Sequence, residues 1–487
     1  MTEHDRKRRQ LLRAAGLSFA AGAVAPYAGL AATTDIDVMS YGAKGDGSTN
    51  DAAAIQRAID ACSWAGGGRV VLAGGKTYLS GTIELKPHVD LHIESGSALK
   101  TIGDRNQLRT RGALIFAKNA DGIAVTGGGK IEGNFLAFFH ERQEGGYKVI
   151  GAFLGPYDPL DPPSKADPNG RPRMILFLSC NGVTLRDFTI HNAPTWTIHP
   201  VGCTNVLVDG ITIDNDMEVP NCDGIGIDHC RSVRVSNCHI SSGDDCIVVR
   251  ASRMFGDYGP CEDVTITNCH LTSSSAAIKV EPEGALPVRN VAISNCVITR
   301  SNRGICVTNR DGTLVENVVF SNMTIETELR LSMWWGEGTP IYITNQSRSR
   351  SLKIGPMRNL RFENILCHGE NGAFLYGGAE SFVENVTFNG VELHIGKTSK
   401  IKGGFYDLRP GELNPGVFRH RIAGIYGMNV NGLVLRDVSV AWGENPPDYY
   451  GPALDLTRVT GLIRDGFRGH AAHQGKEPDV VIDGKAE

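Results

Sequence analysis

The sequence predicts an all-β chain wound as a right-handed parallel β-helix, and a long repeat, its strand-like alternation and an excess of glycine carry that expectation. From about Met174 onward, small or polar residues, often Asn, precede Val-x-[Ile/Leu/Val/Phe] and then a second apolar pair. The anchors fall at Val183, Val206, Val233, Val264, Val291, Val318, Leu360, Val386 and Leu433, in steps of 23, 27, 31, 27, 27, 42, 26 and 47 residues. A period near 25 broken by a few long insertions is the mark of a solenoid with one coil per repeat. The units are rich in Val, Ile and Thr and alternate with period two, which excludes helical and leucine-rich repeats. Glycine fills 59 of 487 positions, well above the roughly 7% of average usage, as a chain of many tight turns requires.

The elements follow in order. Arg6, Lys7, Arg8, Arg9 and Arg13 precede an apolar run from Ala14 to Ala25 and then Gly29-Leu30-Ala31. That is a charged region, a short hydrophobic region and a small-residue cleavage site, so residues 1–31 are expected to be a signal peptide. Arg8-Arg9 followed by Gln10-Leu11-Leu12 is similar to a twin-arginine export signal, which implies a periplasmic or secreted protein. Elsewhere no stretch reaches the ~20 apolar residues of a spanning helix, so no membrane association is expected after signal removal. Residues 32–487 are expected to form one β-helical domain. Tyr41 to Asn50 reads as a loop, and Asp51 to Cys62 as an amphipathic helix opened by an Asn/Asp cap that covers the first coil. The Gly66-Gly67-Gly68 run leads into a strand without a following Lys-Ser/Thr, which excludes a phosphate loop.

Charge and cysteine usage narrow the function. With 49 Lys+Arg against 53 Asp+Glu the net charge is −4, so no basic field for nucleic acid exists. Most of the twelve cysteines, such as Cys180, Cys203, Cys238, Cys269 and Cys296, lie in apolar strand-like segments without zinc spacing. They are expected to be buried free thiols, and the pairs Asn237-Cys238, Asn268-Cys269 and Asn295-Cys296 are expected to stack at turns.

Three carboxylates break the apolar pattern. Asp223 lies in Asn221-Cys222-Asp223-Gly224, and Asp244 and Asp245 follow Gly243, 21 and 22 residues later. That spacing is close to one coil, so the three are expected to be neighbours whose mutual repulsion holds one of them protonated. Adjacent aspartates on a regular strand face opposite ways, so Gly243 is expected to mark a distortion there. Shaping turns is the alternative role for Asp beside Gly.

At these residues the chain resembles the polygalacturonase group, family 28 of the glycoside hydrolases, within the pectin-degrading parallel β-helix proteins. The family pattern is Asn-Thr-Asp followed about twenty residues later by Gly/Gln-Asp-Asp; Asn221-Cys222-Asp223 and Gly243-Asp244-Asp245 match it with Cys222 in place of Thr. Tyr41-Gly-Ala-Lys-Gly-Asp-Gly47, Arg171-Pro172-Arg173 and Pro194-Thr-Trp196-Thr-Ile-His199 are similar to the family as well. The resemblance implies Asp244 as the general acid, with Asp223 and Asp245 positioning and deprotonating water. Two family motifs are missing. The Gly-His-Gly histidine falls near Ala276, and the Arg-Ile-Lys segment near Cys306-Val307-Thr308. Rhamnogalacturonan-cleaving relatives also lack the histidine, so Glu281 or Glu283 is the candidate for its auxiliary role. Lys279, Arg303 and Arg310 are cationic candidates for an acidic sugar, Asn221 belongs to the motif, and Trp196, Trp334-Trp335 and Tyr342 are candidate sugar platforms. His199 is a further candidate contact.

The expected activity is therefore an exported, monomeric, inverting glycoside hydrolase on a pectin-type acidic plant polysaccharide or oligosaccharide, galacturonate- or rhamnogalacturonan-like, with no cofactor and no metal. An inverting pair is expected ~6.5–9.5 Å apart. The alternatives are a calcium-dependent polysaccharide lyase or epimerase, with Arg250 or Lys279 as base, and a non-catalytic carbohydrate-binding solenoid.

Overall fold

A computed structural model describes residues 35–487 apart from 109–111, 144–145, 150–170, 285, 331–335 and 414–415. The expected signal peptide and Trp334-Trp335 lie outside the described residues.

Nearly all strands join one parallel sheet system that winds as a β-helix with three stacked faces. The repeat anchors read from the sequence are one continuous register: Val183 pairs with Val206, then Val233, Val264, Val291, Val318, Leu360, Val386 and Leu433 in turn. Each anchor points inward and is at most 1% exposed. Burying one such side chain contributes roughly 1.5–3 kcal/mol, so the stack is a main source of stability. A second inward column places Phe320, Phe362 and Phe388 face to face at 5.1 and 4.9 Å. The solenoid also begins earlier than the repeat suggests, with strands Gly68–Leu72, Val89–Ile93 and Asp121–Thr126 extending the same stack.

The helix Ala52–Trp64 covers the first coil with Ala54, Ile55, Ala58, Ile59 and Cys62. Its start differs in one detail from the expectation. Asn50 accepts the Ala52 N–H, while the Asp51 carboxylate accepts the N–H groups of Lys44 and Gly45 and so braces the glycine loop.

At the turns, Asn237, Asn268 and Asn295 adopt left-handed φ of 54 to 56°, which Asn tolerates better than other side chains. The following thiols, Cys238, Cys269 and Cys296, each donate to a carbonyl two residues back at 3.2 Å. All twelve cysteines are free and buried. The insertion at 394–430 carries a short hairpin, Tyr406–Asp407 with Val417–Phe418, outside the coils.

Candidate active site

The strands Ile225–Asp228, Ile247–Arg250, Ala276–Glu281 and Arg303–Asn309 are successive coils of one face. Asp223 precedes the first and Asp244-Asp245 the second, outside the strands themselves. The expected distortion is present at Gly243, where a Cβ would meet the Val219 carbonyl at 2.4 Å and the Asp216 carbonyl at 2.7 Å. Only glycine allows that approach, and the resulting bend turns both aspartates toward one place. One oxygen from each of Asp223, Asp244 and Asp245 lies within 4.8 Å of the others. These closest oxygens are nearer than the expected inverting separation, because Ile225 and Ile247 are in direct register across a single coil.

Each carboxyl has a different environment. Asp223 accepts from Arg250 Nη2 at 3.0 Å, and Asp245 faces Lys279 Nζ at 3.1 Å while accepting the Ala276 N–H at 3.0 Å. Asp244 accepts only the neighbouring Asp245 N–H among the described contacts, at 2.9 Å, and is half-buried. Burial and then the Asp245 charge raise the Asp244 carboxyl to about 6. For Asp245 burial acts upward, but Lys279 and the Ser275 hydrogen bond outweigh it and hold the carboxyl below its ordinary value. Burial and the Asp244 charge push Asp223 up, against the pull of Arg250. The 3.0 Å ion pair with Arg250, which also faces Glu283 at 3.4 Å, gives Asp223 a cation that Asp244 lacks. Asp223 and Asp244 are both raised and titrate as a pair, and Asp244 is the one without a cation in direct contact.

The remaining sequence candidates divide into those that border the aspartates and those turned away from solvent. Lys279 also contacts Glu281 at 2.6 Å, and Glu283 contacts Arg250 at 3.4 Å, so both glutamates reach the aspartates through a cation. Half-buried Trp196 lies beside the site with the Arg250 guanidinium 4.6 Å above its ring. Exposed Asn221, at φ 55°, shapes the turn before Asp223 and accepts from Arg171 at 3.3 Å.

Four candidates are turned away from solvent. His199 is fully buried, and burial first of all lowers it to about 4. Arg173 Nε donates to its Nδ1 at 3.1 Å, so Nε2 carries the hydrogen and faces Asp228 at 3.3 Å. Tyr342 is 1% exposed, covered by Phe374 and by the Arg303 guanidinium. Arg303 pairs with Asp407, and Arg310 donates to the carbonyls of Arg409 and Pro410. Arg303 and Arg310 fasten the 394–430 insertion to the coils. The positions aligned with the missing Arg-Ile-Lys, Cys306 and Thr308, are likewise fully buried.

Sequence reasoning missed Arg409, whose Nη1 lies 3.6 Å from Glu281 and whose charge acts on Asp244 and Asp245. It arrives from the insertion, 164 residues beyond Asp245, and no motif marks it. The structural role of Arg250 was more legible, since it is a charged residue ending the apolar strand Ile247–Arg250, in register with Asp228 and Glu281.

The same contacts bear on the lyase alternative. Calcium takes six to eight oxygen ligands, whereas two of these three carboxylates already face cations that would repel it. As bases, Arg250 and Lys279 are poorly suited. Against the effect of burial, Glu283 and Asp223 keep Arg250 charged, and Asp245 and Glu281 keep Lys279 charged.

Comparison with known proteins adds to this geometry. The sequence model described as Glycosyl hydrolases family 28 matches residues 73–404. A probable polygalacturonase from Vitis vinifera is 28% identical over 243 residues, covering 46% of this chain and 45% of that protein. The chain thus spans about half the length of the curated relatives it matches. An exopolygalacturonase from Thermotoga maritima shares the fold with TM-score 0.63 and 20% identity, over 84% of this chain and 91% of that one. A family 28 exopolygalacturonase from Yersinia enterocolitica does so with TM-score 0.59 and 17% identity, over 93% and 79%. No helix among the described residues is long and apolar enough to cross a membrane.

Proposed function

The chain belongs to family 28 of the glycosyl hydrolases, and from that premise we propose that it is an exported, inverting glycoside hydrolase acting on galacturonate- or rhamnogalacturonan-like chains of pectin type. The observation that carries the proposal is the contrast between Asp244 and Asp245. One adjacent carboxyl is raised to about 6 without a cation of its own, and the other is held ionised by Lys279. That is the division of labour between a general acid and a general base.

Asp244 donates its proton to the leaving glycosidic oxygen as the bond breaks, while Asp223 and Asp245 hold a water and take its proton. Their pairing with Arg250 and Lys279 blunts them as nucleophiles toward carbon but leaves them able to accept a proton, which favours water as the attacking group. Trp196 borders the site half-buried, with Arg250, Arg173 and His199 against its ring, and the part left to solvent is where a sugar would touch it. Export and a monomeric state belong to the same proposal and rest on the sequence of residues 1–31 and on the self-contained solenoid.

The test is a screen of the purified protein against defined pectic oligosaccharides, with the product anomer followed by NMR from the first minutes. Hydrolysis with inversion is expected. Retention would overturn the water-attack scheme, and an unsaturated product would replace hydrolysis with elimination.

A further inference from the structure

The face of the solenoid that carries the aspartates is covered on both sides of them. Residues of this face stack one coil apart into a single outward column, with Leu176 in register with Phe116 and His199, and Tyr342 in register with Cys306 and Phe374. Lys279, beside the aspartates, stands in the same column through its pairing with Cys306. Along an open groove such a column would meet solvent. Here Phe116, Leu176 and His199 are at most 4% exposed, and Tyr342, Phe374 and Tyr426 at most 1%.

Two segments outside the coils do the covering. On the N-terminal side Phe255 and Tyr258 pack on the cluster formed by Phe116 and Leu176, and the Phe255 ring lies 5.5 Å from His199. On the C-terminal side the hairpin sets Tyr406 4.5 Å from Phe374. The buried ion pair of Arg303 with Asp407 and the Arg310 bonds to the Arg409 and Pro410 carbonyls fasten it there. Opening either cover would expose several aromatic rings together, and opening the C-terminal one would also strip Asp407 of its buried partner, which disfavours a transient gap. Solvent reaches the aspartates where Asp244, Trp196, Glu283 and Arg409 are partly exposed.

We infer that the protein acts on the ends of its substrate chain, because a polymer laid along the solenoid axis past the aspartates would have to displace both covers. This rests on the hydrolase reading above. Each event adds one water across a terminal glycosidic bond and releases one small sugar of fixed size.

The experiment digests polygalacturonate and rhamnogalacturonan with the purified protein, reading product size, reducing ends and viscosity together from the earliest samples. One product size is expected throughout, with viscosity nearly constant while reducing ends accumulate. A ladder of intermediate sizes, or an early collapse of viscosity, overturns the chain-end inference while leaving hydrolysis intact. No new reducing ends from these polymers or from the defined oligosaccharides overturns the hydrolase reading, and this inference with it.

Discussion

Lys279 Nζ lies 3.1 Å from Asp245 Oδ2, and both side chains are almost fully buried. A buried cation at that distance keeps the carboxylate ionised well into acid. Replacing Lys279 with Met removes the charge and raises Asp245, so the acid limb of kcat/KM should move to higher pH, with a fall on the order of 10–100-fold at neutral pH. Lys279→Arg should keep the limb near its original position. A pH profile of both variants checks this, and an unmoved acid limb in Lys279→Met would remove the coupling.

Asp244→Asn preserves shape but removes the transferable proton. Activity on the natural glycoside should fall by a factor on the order of 10²–10⁴ with binding retained. On an accepted nitrophenyl glycoside, whose leaving group needs little protonation, much of the rate should return. Asp223→Asn and Asp245→Asn should lose activity comparably on both substrates. Near wild-type turnover of Asp244→Asn on the natural substrate would refute its role as the acid.

The alkaline limb is set by the same residue. Asp244 must be protonated to act and is raised to about 6, so kcat/KM should decline about tenfold per pH unit above that value. A plateau extending to pH 8 would show that some other group supplies the proton.

His199 makes stability depend on pH. Its folded value of about 4 lies below the ordinary 6.5, so between these values the unfolded chain binds a proton that the folded chain does not. The stability contributed by neutral His199 is complete above pH 6.5 and is lost progressively as pH falls toward 4. Asp244, raised in the folded state, acts with the opposite sign in part of this window, so a difference measurement is needed. The Tm gap between wild type and His199→Gln should narrow as pH is lowered from 6.5 to 4, and a constant gap would contradict the burial argument.

Arg303→Met leaves Asp407 as a buried charge without its partner and should destabilise the protein by roughly 3–5 kcal/mol. Pairing it with Asp407→Leu should restore much of that loss. Denaturant unfolding of the single and double variants measures the difference.

The solenoid was legible because its inward residues obey one rule on every coil, and every anchor from Val183 to Leu433 occupies the expected stack. The three aspartates were legible for a related reason, since charge beside glycine at one-coil spacing has few structural uses. Tyr342, Arg303 and His199 were harder to read. Alternation along a strand says that a side chain leaves the sheet outward, but it does not say whether a loop lies over it. Arg409 was invisible because the insertion that delivers it has no period to fix its place.

The asparagine ladder on the turns has a consequence for how such a protein changes. Asn317 donates its amide to Asn290 at 3.2 Å across 27 residues, Asn359 to Asn317 at 3.0 Å across 42, and Asn385 to Asn359 at 3.3 Å across 26. The rung is the same whether the intervening coil is short or carries a long excursion. The spine therefore does not register how much chain is spliced between its rungs. Segments that shape the catalytic mouth can be grafted, trimmed or exchanged between relatives while the load on the scaffold stays constant, and selectivity can drift without a matching search for new ways to fold.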